Sequence, residues 1–370
     1  MGGGYSAFED DPLSVWSNPA GIATQPGGLS VGYQTFPLYE KNASANPPRR
    51  PDARIGLGEP GGVPAHIGAV YPIGTEERPQ ALGLTFVTPM FLSLAFDAPD
   101  FDVGGPLYSP NLWSTEQAFF RVRLAYARDF RFKAVGEEGW LPHLAIGLGA
   151  DVGMTTFDMT DLYRGSSSST GRTNYGGGFG LLLGLFDNTR DLKVNLGVAY
   201  QSSIVFDIEH LETQDPRPAP TFNWPDQFQV GVLVFLLDGL PLKITSEVQF
   251  VGWNGASRKS EIPGLGDFRR TTTLSVGAEV RLPVDGTTTF FPRLGLRLSE
   301  APWDSGQEVR LPATGEWQLS VSTRDSRFLV FSFGFGVSFA GAGGGVTSLD
   351  ASFDIGGDAP GATLGIGVGF

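Results

Sequence analysis

The sequence of 370 residues contains no cysteine and only three histidines. The lack of cysteine excludes disulfide bonds, thiolate metal sites and cysteine nucleophiles, and it fits an oxidising compartment, in which stray thiols are a liability. The histidines lie far apart, at His66, His143 and His210, without the spacing of metal ligands. We therefore expect no metal site on these side chains.

Basic residues are also scarce, because 26 Lys and Arg stand against 39 Asp and Glu, which gives a net charge of −13. Phosphate binding needs a basic face, so nucleic acid is not an expected partner. The sequence has no Gly-x-Ser-x-Gly elbow and no phosphate-binding loop, and Asp97, Asp100 and Asp102 miss the spacing of an EF-hand calcium loop. These absences predict a protein that is not an enzyme and uses no cofactor.

Long apolar runs are missing as well. FGLLLGLF at 179–186 and VGVLVFLL at 230–237 fall well short of the roughly 20 residues that a membrane-spanning helix needs. They approach instead the roughly 9 to 11 residues of a tilted transmembrane β-strand. The 52 glycines and 28 phenylalanines also favour extended structure, because glycine is poor in helix interiors and phenylalanine is common in strands.

Apolar residues at every second position are what the sequence has in abundance. In 191–201 one face carries Leu192, Val194, Leu196, Val198 and Tyr200, and the other carries Lys193, Asn195, Gly197 and Gln201. The same alternation recurs in 242–250, 272–282, 327–339 and 361–370. Successive side chains of a strand point to opposite faces, so each segment predicts a strand with one apolar face.

About fourteen such segments are present, and an even number suits a closed barrel. They lie near 29–37, 65–73, 81–89, 117–130, 141–157, 174–186, 191–203, 226–236, 241–253, 270–282, 288–299, 327–339, 346–354 and 361–370. Long connections such as 38–64 and 90–116 alternate with short ones such as 187–190, which is typical of an outer-membrane barrel. We predict an all-β fold, an antiparallel transmembrane β-barrel of about 14 strands, with a water-soluble all-β fold as the alternative.

The first residues do not follow this alternation. EDDPLSVWSNPAGIA at 9–23 predicts a short helix that ends at an Asn-Pro break. Pro12 suits the first turn of a helix, Asn18 is a good N-cap, and Pro19 is preset for a second helix. We predict a small, kinked, two-piece plug before the first strand, with a simple turn as the alternative.

GYSAFEDDPLSVWSNPAGIA at 4–23 strongly resembles the N-terminal signature of the FadL/TodX family of outer-membrane transporters for long-chain fatty acids and hydrocarbons. The resemblance implies that residues 1–28 form a helical hatch in the lumen and that residues 29–370 form the barrel. The predicted hatch residues are Asp10, Asp11, Trp16, Asn18, Pro19, Ala20 and Gly21. The terminal Phe370 also resembles the aromatic signal by which such barrels are recognised for insertion.

The function implied by this resemblance is passive uptake of hydrophobic small molecules through a channel in the bacterial outer membrane. The implied partners are the hydrophobic or lipid ligand and outer-membrane lipid. The start MGGGYS fits a signal peptide that has been removed or replaced, and it also matches an N-myristoylation pattern. The alternative is a PorV-type barrel, which shares the acidic pair and the Asn-Pro-Ala signature and resembles a protein-binding scaffold or shuttle of a secretion system, with a secretion-system protein as partner.

Five arginines occupy inward positions of the predicted strands, namely Arg121, Arg123, Arg281, Arg293 and Arg297. We expect them to hold the hatch by pairing with Glu9, Asp10 and Asp11, because an unpaired charge in a water-poor lumen is costly. The rival interpretation is an open water pore lined by charges. It is disfavoured because a plug leaves little room in a barrel of about 14 strands.

The connections 90–113 and 204–224 are too apolar for ordinary solvated loops. They predict a docking groove for a hydrophobic ligand or, alternatively, a cap in which the loops pack on each other. The predicted docking residues are Phe91, Phe96, Phe101, Trp113, Phe206 and Trp224. Pro89, near the end of the third strand, is a candidate defect in the barrel wall because it cannot donate a ladder hydrogen bond.

Overall fold

The computed structural model describes residues 6–7, 11–35, 37–45, 52–58, 66–97, 113–132, 140–161, 165–170, 173–188, 192–206, 223–236, 241–253, 269–300, 307–310, 318–321, 327–341, 345–356 and 361–370. Two short helical elements lie near the N-terminus, α1 Ser14–Ser17 and a 3-10 turn Pro19–Ile22. In these described ranges no helix has the length and apolar character to cross a membrane.

The strands, in chain order, are β1 Gly28–Thr35, β2 Pro37–Ala45, β3 Asp52–Gly58, β4 His66–Pro72, β5 Gln80–Asp97, β6 Trp113–Arg131, β7 Trp140–Asp161, β8 Gly165–Thr170, β9 Asn174–Asn188, β10 Leu192–Gln201, β11 Gln227–Leu236, β12 Leu242–Val251, β13 Thr271–Val280, β14 Leu282–Pro283, β15 Thr288–Glu300, β16 Gln307–Arg310, β17 Gln318–Val321, β18 Arg327–Ala340, β19 Val346–Gly356 and β20 Gly361–Gly369.

These strands form one closed antiparallel barrel. Some of the 20 strands are consecutive pieces of one strand of the barrel wall, called a wall strand below. These pieces are β1 with β2, β3 with β4, β8 with β9, and β13 with β14. β16 and β17 form a separate hairpin that pairs with β2. This leaves 14 wall strands, and the pairing of β1 with β20 closes the ring. The predicted 14-stranded antiparallel barrel is confirmed.

The two ends of the barrel differ in their connections. Short turns such as 73–79 and 284–287 join neighbouring wall strands at one end, where the first strand also begins and the last strand ends. There Phe370 N donates to Gly27 O at 2.9 Å. This end is called the short-turn end below, and the opposite end is called the long-connection end.

Several wall strands are longer than the sequence pattern predicts. β5 continues to Asp97 and β6 already begins at Trp113, so the prediction that all of 90–113 is a loop is wrong. β7 likewise continues to Asp161, beyond the predicted strand 141–157. β8 begins at Gly165, before the predicted strand 174–186. Apolar residues still alternate in the extension FLSLAFD of β5, whereas WSTEQ of β6 and GSSSST of β8 are mostly polar and carry no strand signal.

The wall is apolar outside and polar inside. On β6, Leu124 faces outward and is 58% exposed, whereas its neighbour Arg123 faces inward and is fully buried. The same contrast recurs around the ring, with Leu84, Leu148, Leu294, Phe331 and Ile366 among the exposed outer side chains. A water-soluble protein has the opposite arrangement, so this outer surface suits contact with lipid.

β5 carries an irregularity halfway along its length. Its pairing with β6 shifts by one residue between Val87 and Met90, so β5 has one residue more than β6 in this stretch. On its other side β5 pairs with β4 up to Val87 and with β3 from Phe91 onward. Pro89 lies inside this β-bulge, where its missing N–H costs no ladder hydrogen bond.

Candidate functional site: the plug and the lumen

Residues 11–25, called the plug below, fold into two short pieces inside the barrel. Asn18 N donates to Ser14 O at 3.0 Å and ends α1. Asn18 then caps the next turn, because its Oδ1 accepts from Ala20 N at 3.1 Å and Pro19 takes the first position. Asn18 itself has an extended backbone, which produces the kink between the two pieces. The described residues 14–22 therefore form two short helical pieces, with Asn18 and Pro19 at the junction between them.

Glycines on the inner face of the wall let the plug approach the strands closely. They form what is called the seat below, and they are Gly83 on β5, Gly147 on β7, Gly180 on β9, Gly197 on β10 and Gly231 on β11. A Cβ on Gly83 would lie 2.5 Å from Val15 Cγ2, and a Cβ on Gly147 would overlap the peptide between Pro19 and Ala20. A side chain at Gly83, Gly147 or Gly180 would push the plug off the wall, and one at Gly197 or Gly231 would overlap Ser6, which precedes the plug.

Asn18 also ties the plug to the wall and to the residues before it. Its Nδ2 donates to Ser6 O at 2.5 Å and to Leu181 O at 3.0 Å. Ser6 N in turn donates to the buried carboxylate of Glu247 at 2.7 Å. The side chain of Asn18 is completely buried and uses both its acceptor and its donor group, so only an amide satisfies this position.

Trp16 is held by side chains of two wall strands. Arg123 Nη1 donates to Trp16 O at 2.7 Å, and Gln201 Nε2 donates to the same carbonyl at 3.0 Å. The guanidinium carbons of Arg121 and Arg123 lie 4.9 and 4.8 Å from the centroid of the Trp16 ring, within the range of a cation–π interaction. Two of the five predicted anchoring arginines therefore contact the plug, and they do so through Trp16.

The carboxylate that balances these arginines belongs to the wall. Asp151 on β7 is the register partner of Arg123 on β6. Arg123 Nε donates to Asp151 Oδ1 at 2.6 Å, and Arg121 binds the same carboxylate. The buried cluster holds two cations and one anion, and in the described part of the chain Arg121 Nε and Nη1 have no hydrogen-bond acceptor. Unpartnered buried donors are costly, so the cluster has capacity for one more acceptor.

The other three predicted anchoring arginines face acids of the wall on the opposite side of the barrel. Glu279 is bound by Arg281 and Arg293, Asp350 by Arg293, and Asp354 by Arg297. Of the acids predicted to meet the arginines, Glu9 and Asp10 lie outside the described residues. Asp11 is at the start of the plug, where its Oδ1 accepts from Leu13 N at 2.8 Å.

Four apolar side chains pack together on the long-connection side of the plug, and they are called the apolar cluster below. They are Phe119 on β6 together with Ile204, Phe206 and Trp224 from the connection between β10 and β11. The ring centroid of Phe119 lies 5.3 Å from that of Phe206 and 6.3 Å from that of Trp224. Phe206 and Trp224 are only 2% and 5% exposed, so these two predicted docking residues lie inside the lumen and not on an outer surface.

The remaining predicted docking residues belong to the extended wall where they are described. Phe91 and Phe96 lie in β5, and Trp113 is the first residue of β6. Phe101 lies outside the described residues. The wall segment from Phe91 to Phe96 pairs with β3 on one side and with β6 on the other.

A cavity of about 610 Å³ lies on the short-turn side of the plug, and both charged and apolar side chains line it. Its lining residues are Thr24, Asp129, Arg131, Pro142, His143, Asp187, Lys193, Leu233, Phe235, Lys243 and Arg281. Asp129 Oδ1 and His143 Nδ1 lie 3.0 Å apart within this lining. The two sides of the plug therefore differ, with an apolar cluster toward the long-connection end and a charged cavity toward the short-turn end.

Asp151, Phe119, Ser6 and Glu247 are parts of the site that sequence reasoning missed. Asp151 had a usable signal, because it is an isolated acid in the predicted strand 141–157, next in sequence to the strand of Arg121. Ser6 and Glu247 had none, because their meeting depends on how the N-terminal segment crosses the lumen.

No protein-family model and no curated protein matches the sequence. Several solved structures do match it. A FadL homologue of Pseudomonas aeruginosa has a TM-score of 0.58 and 16% sequence identity, over 99% of this chain and 95% of that one. The Ralstonia pickettii toluene transporter TbuX has a TM-score of 0.54 and 15% identity, over 100% and 95% of the two chains. The Pseudomonas putida toluene transporter TodX has a TM-score of 0.51 and 11% identity, also over 100% and 95%. At these identities the similarity establishes the fold, and the chain has the fold of the FadL-type outer-membrane barrels over its whole length.

Proposed function

We propose that the protein is a channel of the bacterial outer membrane that takes up hydrophobic small molecules passively, past its N-terminal plug. The apolar cluster carries this proposal, because it places four apolar side chains directly beyond the plug. A hydrophobic molecule that enters from the long-connection end gains from burial against these side chains. The solved structures with this fold include toluene transporters, which is the same class of cargo.

The ligand class that fits best has an apolar body and one acceptor group, as a long-chain fatty acid does. Arg121 lies on the same strand and the same face as Phe119, two residues further along β6. The two unpartnered donor groups of its guanidinium therefore border the apolar cluster. A carboxylate bound to Arg121 would also balance the extra positive charge of the cluster formed with Arg123 and Asp151.

The exit route in this proposal runs sideways through the wall. Straight passage would take an apolar molecule past the charged side chains of the cavity below the plug, which lose hydration when an apolar body displaces their water. The bulge in β5 lies at the level of the apolar cluster, because Val87 is opposite Arg121 and Met90 is opposite Phe119. A bulge containing Pro89 interrupts the ladder at this height and gives the ligand a path from the cluster to lipid.

Binding and uptake of a radiolabelled long-chain fatty acid by the full-length protein in lipid vesicles test the proposal. Phe206→Ala should weaken binding about 10- to 100-fold, since a buried aromatic side chain contributes about 1.5–3 kcal/mol. Phe228→Ala is the matched control, because Phe228 is on the outer face of β11 and 41% exposed. Equal binding and uptake by both variants would refute the channel, and a scaffold for a secretion-system protein would then be the function to test.

A further inference from the structure

Arg128 is a charged side chain on the outer face of the barrel wall. It lies on β6 and has the same parity as Leu124 and Phe130, which are 58% and 38% exposed on that face. Its sequence neighbours Ala127 and Asp129 face inward and are buried. The guanidinium of Arg128 is therefore on the surface that faces lipid, where a charge is unfavourable unless a polar partner reaches it.

The height of Arg128 on the wall is that of the membrane interface at the short-turn end. Its register partner on β5 is Gln80, which is the first residue of that strand. Aromatic residues form girdles where a barrel wall meets the lipid head groups. Large apolar and aromatic side chains are exposed on the outer face near this end, namely Tyr71, Tyr126, Phe130, Leu236, Leu282, Phe339 and Val368. Arg128 is thus a cation within an otherwise apolar and aromatic surface, at the level of the head groups.

The described residues around Arg128 hold its guanidinium in place but do not satisfy it. The guanidinium carbon lies 4.9 Å from the ring centroid of Phe130, within the range of a cation–π interaction. Arg128 Nε is buried and has no hydrogen-bond acceptor among the described residues. Two polar neighbours on the same face bind each other, because Tyr126 Oη donates to Gln80 Oε1 at 2.8 Å. The guanidinium therefore retains donor capacity on the outer face.

Arg327, at the other end of the barrel, shows how the wall itself can supply a partner for an outward arginine. It has the parity of Leu329, and its Nε lies 3.1 Å from Oε1 of Glu300, which is its register partner on the neighbouring strand. The register partners of Arg128 are Gln80 and Ile146, and neither is charged. The strand register thus gives Arg128 no carboxylate, so an anionic partner has to come from outside the wall.

We propose that Arg128 binds the phosphate group of a phospholipid in the periplasmic leaflet of the outer membrane. Short turns mark the periplasmic side of such barrels, so the short-turn end faces that leaflet. A guanidinium donates two parallel hydrogen bonds to a phosphate, and the amide nitrogen of Gln80 is a further donor on the same face. The acyl chains of the lipid would lie along the outer side chains of β6 above Arg128, which include Leu124. This inference does not rest on the proposed uptake, because it involves neither the plug nor the apolar cluster.

Native mass spectrometry of the delipidated full-length protein, titrated with dioleoylphosphatidylethanolamine or with dioleoylglycerol, tests the proposal. The two lipids share their acyl chains and differ in the phosphate head group. The unmodified protein should bind the phospholipid about fivefold more tightly than the diacylglycerol, since one cation near the head groups contributes about this factor. Arg128→Gln should abolish this preference, and Arg128→Lys should retain part of it. Arg131→Gln is the matched control and should retain all of it, because Arg131 is on the same strand but lines the cavity inside the barrel.

Heat-modifiable migration in gels confirms that each variant has folded before it is titrated. An equal preference for the phospholipid in the unmodified protein and in Arg128→Gln would overturn the proposal, as would equally tight binding of both lipids by the unmodified protein. Excess inorganic phosphate should leave the phospholipid bound, because the acyl chains also hold it on the wall. Displacement of the phospholipid by inorganic phosphate would overturn the lipid as the ligand of Arg128. None of these outcomes bears on fatty-acid uptake, so this proposal and the proposed function fail separately.

Discussion

Arg123 of the wall donates its Nη1 hydrogen to the backbone carbonyl of Trp16 in the plug, at 2.7 Å. The acceptor is a main-chain group, so any residue at position 16 would accept this bond, and the indole ring adds a second contact with the same guanidinium. Arg123 is itself fixed by Asp151 on the next strand. The plug is thus held by a side chain that the barrel positions independently of it.

Arg123→Ala should release the plug. The substitution removes the bond to Trp16 and leaves Asp151 with one partner fewer, and truncating one member of a buried charged pair typically costs about 2–5 kcal/mol. The chain has no native cysteine, so Val15→Cys provides a single thiol that is fully buried while the plug is docked. Maleimide labelling of Cys at this position should accelerate in the Arg123→Ala background. Arg293→Ala, on the opposite side of the barrel, is the control, and equal acceleration by both would contradict the anchoring role.

Asn18→Asp should weaken the plug although it preserves the helix cap. The carboxylate still accepts from Ala20 N, but it cannot donate to Ser6 O and Leu181 O, and it places a negative charge against both carbonyls. Loss of two buried hydrogen bonds costs about 1–3 kcal/mol for each acceptor left unsatisfied. The same thiol-labelling rate measures the effect. If Asn18→Asp labels as slowly as the parent while Asn18→Ala labels fast, the cap and not the two donated bonds holds this part of the plug.

Gly147→Ala should displace the plug, whereas Gly365→Ala should be tolerated. A methyl group at Gly147 overlaps the Pro19–Ala20 peptide, and overpacking of this kind costs about 1–3 kcal/mol. A methyl group at Gly365 meets nothing closer than 3.7 Å among the described atoms. Heat-modifiable migration in gels reports whether each barrel has folded, and proteolysis reports whether the plug is exposed. Equal plug exposure in the two variants would mean that the seat does not depend on its glycines.

Deletion of Pro89 should seal the wall. The register of β5 against β6 differs by one residue on the two sides of the bulge, so removing one residue restores a continuous ladder. We expect fatty-acid uptake to fall while binding in the lumen is kept, because entry and the apolar cluster are unchanged. Pro89→Ala retains the extra residue and should transport like the parent. Undiminished uptake by the deletion variant with a folded barrel would exclude this exit.

The number of wall strands and the polarity of their faces follow from the sequence because lipid imposes one rule on every strand. In 327–339, for example, Leu329, Phe331 and Phe333 must face outward, and the alternation shows it directly. Beyond the apolar band this rule ends, and the segment 90–113 was assigned to a loop although β5 and β6 extend into it. The signal for β5 was present, because Leu92, Leu94 and Phe96 alternate with Ser93, Ala95 and Asp97, but it was interpreted as part of an apolar connection.

The plug could be predicted from Asn18 and Pro19, because capping and proline geometry act over a few residues of sequence. Its anchors could be predicted only in part. Arg121 and Arg123 were found as inward charges, but their partner Asp151 depends on the register between β6 and β7, which alternation leaves open by any multiple of two residues. Glu279, Asp350 and Asp354 were missed as partners for the same reason.

The plug leads directly into β1 through the short segment from Thr24 to Gly27, so it is an intramolecular ligand of its own seat. A short tether of this kind holds a displaced ligand at an effective concentration of roughly millimolar order near its site. Rebinding of the plug then does not depend on the protein concentration in the membrane. A free peptide with the plug sequence would have to reach about this effective concentration to compete for the seat. A displaced plug is therefore expected to return to its seat without any second molecule.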